Sequence, residues 1–304
     1  MAEHELSSSL RIGTAPDPAA APTSGAPQTG GSGGWPLPPT EAHLWYVVPE
    51  AIDDPALLAA YDALLTPVER ARNRRFVFAR HRHQDLVTRA LVRTVLSTYC
   101  PSVEPQAWQF ESNPYGRPEI SAPLVRPGLR FNLSHTDGLV VCLVADSHEI
   151  GVDVENLTRG SDTVEIAERY FSPDEARTLR TWPVEQQPDR FFDYWTLKEA
   201  YIKARGLGLQ IPLDQFTMQP DGAPRHADTR TQIGVRFGPG INDDPRRWQL
   251  ALLDLTPRHR VAVAIRRSGA DLKLRRFQTV PTPGGHPARR SVMASGAGSH
   301  VRIL

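Results

Sequence analysis

A chain of 304 residues with a net charge of +1 at neutral pH carries no global field that would single out nucleic acid or an anionic membrane as its partner. It contains no run of about eighteen apolar residues, and its acidic start, Met-Ala-Glu-His-Glu, is unlike a secretory leader. A membrane span and an export signal are therefore not expected, and the cytoplasm is the expected compartment. The two cysteines, Cys100 and Cys142, are far apart and outside any metal-type spacing, which argues against a disulfide framework and for two ordinary buried residues.

In chain order, residues 1–40 are dominated by Ala, Pro, Gly, Ser and Thr with Trp35 as the only aromatic, a composition predicted to stay disordered because it buries too little apolar surface. Leu44-Trp-Tyr-Val-Val48 predicts a buried strand. Asp54-Pro55 opens a helical stretch, and Thr66-Pro67-Val68-Glu69 is a capping box with proline at the first helical position. From Arg80 to Tyr99 the apolar residues Leu86, Ala90, Leu91 and Val95 form one helical stripe, ended by Pro101. Strands are predicted at Trp108–Glu111, Leu129–Leu133, Leu139–Ala145 and Glu149–Glu155, so that the first half reads as a helix on a meander.

The second half repeats this order. Val164–Phe171 and a helix capped by Ser172-Pro-Asp-Glu175 precede a long helix over Phe191–Arg205 stopped by Gly206, and strands follow near 214–219, 232–237, 247–255 and 260–267. The tail 268–304 reads as disordered. The folded body is expected to be α+β, with two similar α/β subdomains at 41–155 and 156–267 related by a pseudo-twofold duplication and a ligand groove between them.

Only three of the 35 lysines and arginines are lysine, and two of those three, Lys198 and Lys203, stand in Trp195-Thr-Leu-Lys-Glu-Ala-Tyr-Ile-Lys203. A compact ammonium is not replaceable by a guanidinium fork where one point charge must meet a phosphate or carboxylate. In that segment Trp195, Glu199 and Lys203 fall at i, i+4 and i+8, on one helix face. In Ile150-Gly-Val-Asp153-Val-Glu155 two carboxylates at i and i+2 share one strand face. Each motif alone also reads as a solvated surface pair. Together, in apolar surroundings, three oxygen-donor carboxylates suit Mg²⁺, and no His/Cys set competes for a softer metal. His81 and His83 face different directions on their helix. Arg70, Arg72, Arg74, Arg75, Arg80, Arg82 and Arg117 supply cations suited to phosphate.

Three ordered blocks, Phe131-Asn-Leu-Ser-His135, Ile150-Gly-Val-Asp-Val-Glu155 and Trp195-Thr-Leu-Lys-Glu-Ala-Tyr-Ile-Lys203, resemble the Sfp-type 4′-phosphopantetheinyl transferases. Glu69–Phe76, Leu91-Val-Arg93 and Asn113–Pro118 add weaker support. The resemblance implies a monomer that binds coenzyme A (CoA) and transfers its phosphopantetheine arm to a serine of an apo acyl or peptidyl carrier protein, releasing adenosine 3′,5′-bisphosphate. It implies Mg²⁺ held by Asp153, Glu155 and Glu199, catalytic roles for Glu199, Lys203 and Asp153, and CoA contacts from Arg72, Arg75, Arg117, Ser134, His135, Lys198 and Lys203. Glu69 and Asp85 depart from the family pattern, standing where it has a basic and a hydroxyl residue.

Two other classes fit parts of the chain. A Mg²⁺ nuclease would also join acids to a lysine, but the Glu-x-Lys strand usual there is missing. A nucleic-acid-binding module could rest on residues 70–93, with eight arginines, two histidines and Phe76 and Phe78 for stacking. It leaves the Asp-x-Glu and Trp-x-x-Lys-Glu blocks without a role.

Overall fold

The computed structural model describes residues 34–158, 163–220, 233–283 and 288–291. The expectations for 1–33, 284–287 and 292–304 lie outside the described residues. The elements are β1 (Glu41–Val47), α1 (Pro55–Ala63), α2 (Pro67–Asn73), α3 (Ala79–Tyr99), β2 (Gln109–Ser112), β3 (Pro118–Ala122), β4 (Leu129–Thr136), β5 (Leu139–Asp146), β6 (Glu149–Asn156), α4 (Thr163–Tyr170), α5 (Pro173–Thr181), α6 (Gln187–Arg205), β7 (Phe216–Gln219), β8 (Gly234–Phe237), β9 (Trp248–Thr256), β10 (His259–Arg266), β11 (Lys273–Val280) and β12 (Ala288–Ser291). This is an α+β chain. It divides into two compact units, one built chiefly on residues 51–129 and the other on 37–50 and 130–279.

The first unit holds α1–α3 and the β2–β3 hairpin. The capping box at α2 forms as expected, with Thr66 Oγ1 accepting from the Glu69 N–H and Glu69 accepting from the Thr66 N–H at 2.9 Å. Glu69 does more than cap. It is buried, and Arg93 Nη2 reaches both its oxygens at 3.0 and 2.8 Å while Arg89 Nη1 lies 3.3 Å away, so two cations from α3 clamp the start of α2. The departure from the family pattern at Glu69 thus has a structural reason. Residues 34–40 are also engaged: the Trp35 N–H donates to Thr98 O at 2.8 Å.

The second unit contains a five-stranded sheet of order β12-β11-β1-β5-β4 and a three-stranded sheet of order β6-β10-β9. Here the structure differs from the expected meander, because β6 pairs antiparallel with β10, a partner from the second half of the chain. Along β6, Ile150, Val152 and Val154 face an apolar core with Val261, Val263 and Leu143, whereas Gly151, Asp153 and Glu155 take the opposite face by strand alternation. Against that face lies α6, ended by Gly206 in the left-handed region at φ 63°.

The approach of α6 to β6 is close. A Cβ on Gly151 would stand 2.0 Å from Ala200 O and 2.4 Å from Ala204 N, and on β10 small residues stand opposite this face, Ala264 across from Gly151 and Ala262 across from Asp153. Gly151→Ala is therefore expected to push α6 off the strand, costing roughly 3 kcal/mol or more as overpacking against backbone, and to reduce activity with it. Urea unfolding and a turnover assay check this. A variant as stable and active as the parent would refute the close approach.

A second difference concerns the tail. Residues 273–280, expected to be disordered, form β11 and pair in parallel with β1 from Glu41↔Lys273 to Tyr46↔Gln278. Phe277 is buried against Trp45, ring centroids 4.7 Å apart, while Lys273 and Arg275 stay exposed. The Pro/Gly-rich average of the tail conceals this short alternating stretch.

Candidate active site

Three elements of the second unit converge on one cluster. β6 contributes Asp153 and Glu155, α6 contributes Trp195, Glu199 and Lys203 one turn apart, and β4 contributes Asn132 and Ser134 on one face. Lys203 Nζ lies 2.6 Å from Asp153 Oδ1 and 2.9 Å from Ser134 Oγ, and Ser134 Oγ lies 2.9 Å from the same Oδ1. Trp195 Nε1 donates to Glu155 Oε1 at 3.1 Å. Asn132 Oδ1 accepts the Val152 N–H at 2.8 Å and so fixes the peptide next to Asp153.

The electrostatics follow from three acids around one ammonium. Burial and then the charge of Asp153 push Glu155 up to about 8, with Lys203 and the Trp195 hydrogen bond opposing. Burial and Asp153 likewise push Glu199 up to about 7. For Lys203, burial favours the neutral form, but Asp153, Glu199 and Glu155 together outweigh it and hold the ammonium above the ordinary lysine value. Asp153 is buried, and among the described residues its Oδ2 has no hydrogen-bond partner. Among the described residues no three His, Cys, Asp or Glu side chains form a ready-made metal cage.

Of the residues singled out from the sequence, Asp153, Glu155, Glu199, Lys203 and Ser134 come together. His135 follows on β4, half-buried. Arg72, Arg75 and Arg117 belong to the first unit: Arg72 is half-buried on α2, Arg75 is exposed just after it, and Arg117 pairs with Glu119 at 2.8 Å in the β2–β3 turn. Arg82 donates to Phe76 O at 2.6 Å and Asp85 accepts from Asn73 at 2.8 Å, both within the α2–α3 connection.

Lys198 is corrected. Its side chain is 0% exposed, pairs with Glu175 at 2.7 Å, and donates to Leu213 O at 2.7 Å and Phe216 O at 2.6 Å. Three ammonium protons thus have three acceptors, none of them in the Asp153 cluster, so Lys198 is not available to CoA. One residue before Glu199 on a helix is about 100° away around the axis, which points it into the core instead. Asn132 was missed as an individual contributor, and Trp195, already placed on the face of Glu199 and Lys203, gains Glu155 as its partner. The i, i+2 spacing of Asn132 and Ser134 on a strand was the available signal.

Comparison with known proteins gives the cluster its setting. Residues 149–264 match the model of the 4′-phosphopantetheinyl transferase superfamily, and residues 54–148 match the 4′-phosphopantetheinyl transferase N-terminal model. The chain is 39% identical over 170 residues to the 4′-phosphopantetheinyl transferase HetI of a Nostoc species, spanning 56% of this chain and 70% of that protein. It is 35% identical over 171 residues to a 4′-phosphopantetheinyl transferase of Bacillus subtilis, spanning 55% and 73%. A phosphopantetheinyl transferase of a Thraustochytrium species is 31% identical over 249 residues, 77% of this chain and 82% of that one. Among solved structures, the holo-[acyl-carrier-protein] synthase of Thermotoga maritima aligns at a TM-score of 0.29 and 20% identity, over 38% of this chain and 61% of that one. All the acids and the lysine of the β6–α6 cluster fall inside the segment that the superfamily model matches, and the two family models together run from 54 to 264: the chain belongs to the 4′-phosphopantetheinyl transferase superfamily.

Proposed function

We propose that this phosphopantetheinyl transferase moves the 4′-phosphopantetheine arm of CoA onto a serine hydroxyl of an apo acyl or peptidyl carrier protein and releases adenosine 3′,5′-bisphosphate. The observation that carries this is the convergence of Asp153, Glu155, Glu199 and Lys203 from one strand and one helix.

Mg²⁺ fits the cluster on two grounds. Asp153 Oδ2 is buried without a donor among the described residues, and three carboxyl groups crowd one ammonium, so that Glu155 and Glu199 are pushed up to about 8 and about 7; an oxygen-preferring divalent cation would let them ionise together. Asp153, Glu155 and Glu199 would hold it. When bound, such an ion neutralises charge on the CoA pyrophosphate and on the departing bisphosphate.

The chain's own residues do the rest. Lys203 holds a compact positive charge beside the acids, where the pantetheine-side phosphate gains a counter-ion. As the carrier serine oxygen bonds to the pantetheine-side phosphorus, the bond from that phosphorus to the bridging oxygen breaks, and the oxygen leaves with the adenosine bisphosphate. Glu199, on the helix face of Lys203, takes the serine proton. Arg72, Arg75, Arg117 and His135 are assigned to the remaining CoA phosphates. Division at 41–155 and 156–267 as a pseudo-twofold pair of subdomains in a monomer, with CoA in the groove between them, belongs to this proposal; the family models meet close by, at 148/149. A cytoplasmic location belongs to the same proposal.

The test is intact-mass spectrometry of apo carrier proteins incubated with the enzyme, CoA and Mg²⁺. A gain of one phosphopantetheine, abolished by EDTA and restored by excess Mg²⁺, is the expected result. No gain on acyl, peptidyl or aminoadipate-type carriers, while CoA still protects the enzyme against heat, would reduce the protein to a CoA-binding relative.

A further inference from the structure

β4 closes one end of the five-stranded sheet and β6 one end of the three-stranded sheet, and side chains join the two strands. The bridges follow one another in the same chain direction: Asn132 Oδ1 accepts the Val152 N–H at 2.8 Å, Ser134 Oγ donates to Asp153 Oδ1 at 2.9 Å, and Asn156 Nδ2 donates to Asp137 O at 3.0 Å. The last of these is fixed in orientation, because Asn156 Oδ1 accepts from both the N–H and the hydroxyl of Thr158, at 2.9 and 2.7 Å. It is also doubled. His259, opposite Asn156 in the β6–β10 register, brings Nε2 to 2.8 Å from the same Asp137 carbonyl. A carbonyl only accepts, so Nε2 carries the ring proton. Nδ1 then accepts from the Thr256 hydroxyl at 2.6 Å, and burial, which pushes His259 below the ordinary imidazole range, favours this neutral ring. Gly138, at φ 89°, lets the β4–β5 turn close on the ring, for a Cβ there would stand 3.2 Å from His259 Cε1.

We infer that Asn156 and His259 are positioning residues for the transfer: by holding the Asp137 carbonyl together they fix the end of β4, with Ser134 and His135, against the end of β6, with Asp153 and Glu155. Asn156 directly follows Glu155, and Asp137 stands two residues beyond His135, so the joint reaches both halves of the site within two positions. Both side chains are buried, and their recorded partners are Asp137 O, Thr158 and Thr256, outside the Asp153 cluster. A loosened joint lets the residues expected to grip CoA drift from the acids expected to hold the metal, and reactions of this kind are sensitive to small misplacements. The inference rests on the CoA and Mg²⁺ assignments of the proposed function.

The experiment compares the full-length parent with His259→Phe, His259→Gln and Asn156→Ala. It reads the Kd for CoA by calorimetry, the KM values for CoA and for the apo carrier protein, and a melting curve that sets the assay temperature well below every Tm. His259→Phe keeps a ring and removes the donor. It is expected to raise the Kd and KM for CoA roughly fivefold while the KM for the carrier stays within about twofold. His259→Gln, whose amide reaches the place of Nε2, is expected to recover most of the loss, and Asn156→Ala to act in the direction of His259→Phe. Parental constants for CoA in both His259→Phe and Asn156→Ala, with only a lowered Tm, would assign the pair to folding alone and overturn the inference. Equal rises for CoA and carrier that His259→Gln does not repair would overturn it as well. A parent that binds CoA but modifies no carrier removes the transfer reading, and the calorimetric constants then decide on the pair; a parent that binds no CoA removes both.

Discussion

Asp153→Ala is expected to lower phosphopantetheine transfer by roughly 10³-fold or more, about 4 kcal/mol of transition-state stabilisation, without destabilising the fold. The activity loss follows from geometry, since Asp153 is the acid held by both Ser134 and Lys203 and the one with a buried, unpaired oxygen. The stability follows from the charges. Asp153 is the largest charge pushing Glu155 and Glu199 upward, and its removal lets both ionise more readily, while Lys203 keeps two carboxylates nearby. Functional sites commonly hold such strain, and relieving it raises stability as activity falls. Turnover by mass spectrometry together with a melting curve checks both halves. A dead enzyme with a much lower Tm would mean that Asp153 serves folding, and excess Mg²⁺ restoring the variant would mean that Asp153 is replaceable as a ligand. Glu199→Gln is the companion variant, because near-normal turnover there would exclude that carboxylate as base and ligand alike.

Lys198→Met is expected to have the largest effect on stability. The substitution leaves Glu175 buried with its charge uncompensated, a loss of about 3–5 kcal/mol, which in a domain of this size lowers Tm by roughly 6–20 °C. Glu175 is tied down on every side: it closes the capping box of α5 with Ser172, and its Oε1 accepts the Met218 N–H at 2.7 Å. Burial favours the neutral form of each partner, raising the Glu175 carboxyl and lowering the Lys198 ammonium; their mutual attraction is the main opposing cause, helped by the Met218 and Ser172 N–H bonds to Glu175 and by the charge of Asp214 near Lys198. Lys198→Arg is not expected to rescue, because a planar fork cannot point donors at Glu175, Leu213 O and Phe216 O from one atom. Calorimetry measures the shift. A change of less than about 2 °C would show that the pair contributes little, and a raised KM for CoA in stably folded Lys198→Met would return the residue to the active site.

These two positions also show what was legible in the sequence. Both capping boxes, Thr66–Glu69 and Ser172–Glu175, form where the local pattern places them, because a cap needs only residues within one turn. Strand alternation put Asp153 and Glu155 on one face, and the four-residue helical step put Glu199 and Lys203 on another. The scarcity of lysine pointed to the correct helix, but it did not separate a lysine that serves chemistry from one that serves packing. That distinction depends on Glu175 and the carbonyls after α6, which no local spacing reveals. The same holds for the pairing of β6 with β10 and for the ion cluster of Glu69 with Arg89 and Arg93, whose partners lie twenty or more positions apart. Gly151 was visible as part of a motif, yet its reason, the backbone of Ala200 and Ala204 across a close contact, appears only once helix and strand meet.

The parallel pairing of β11 with β1 has a bearing on how the chain is made. β1 leaves the ribosome early, carrying the apolar run Leu44-Trp-Tyr-Val47, and β5 covers one of its edges once the first half has been synthesised. The other edge waits for residues 273–280, which emerge after every helix described and after β10. Until then a hydrophobic strand presents unpaired amide and carbonyl groups, the arrangement most prone to adding a strand from another molecule. Shortening the chain to residue 267, where sequence composition first suggests that the folded body ends, would make that transient exposure permanent. An expression boundary therefore belongs beyond Val280.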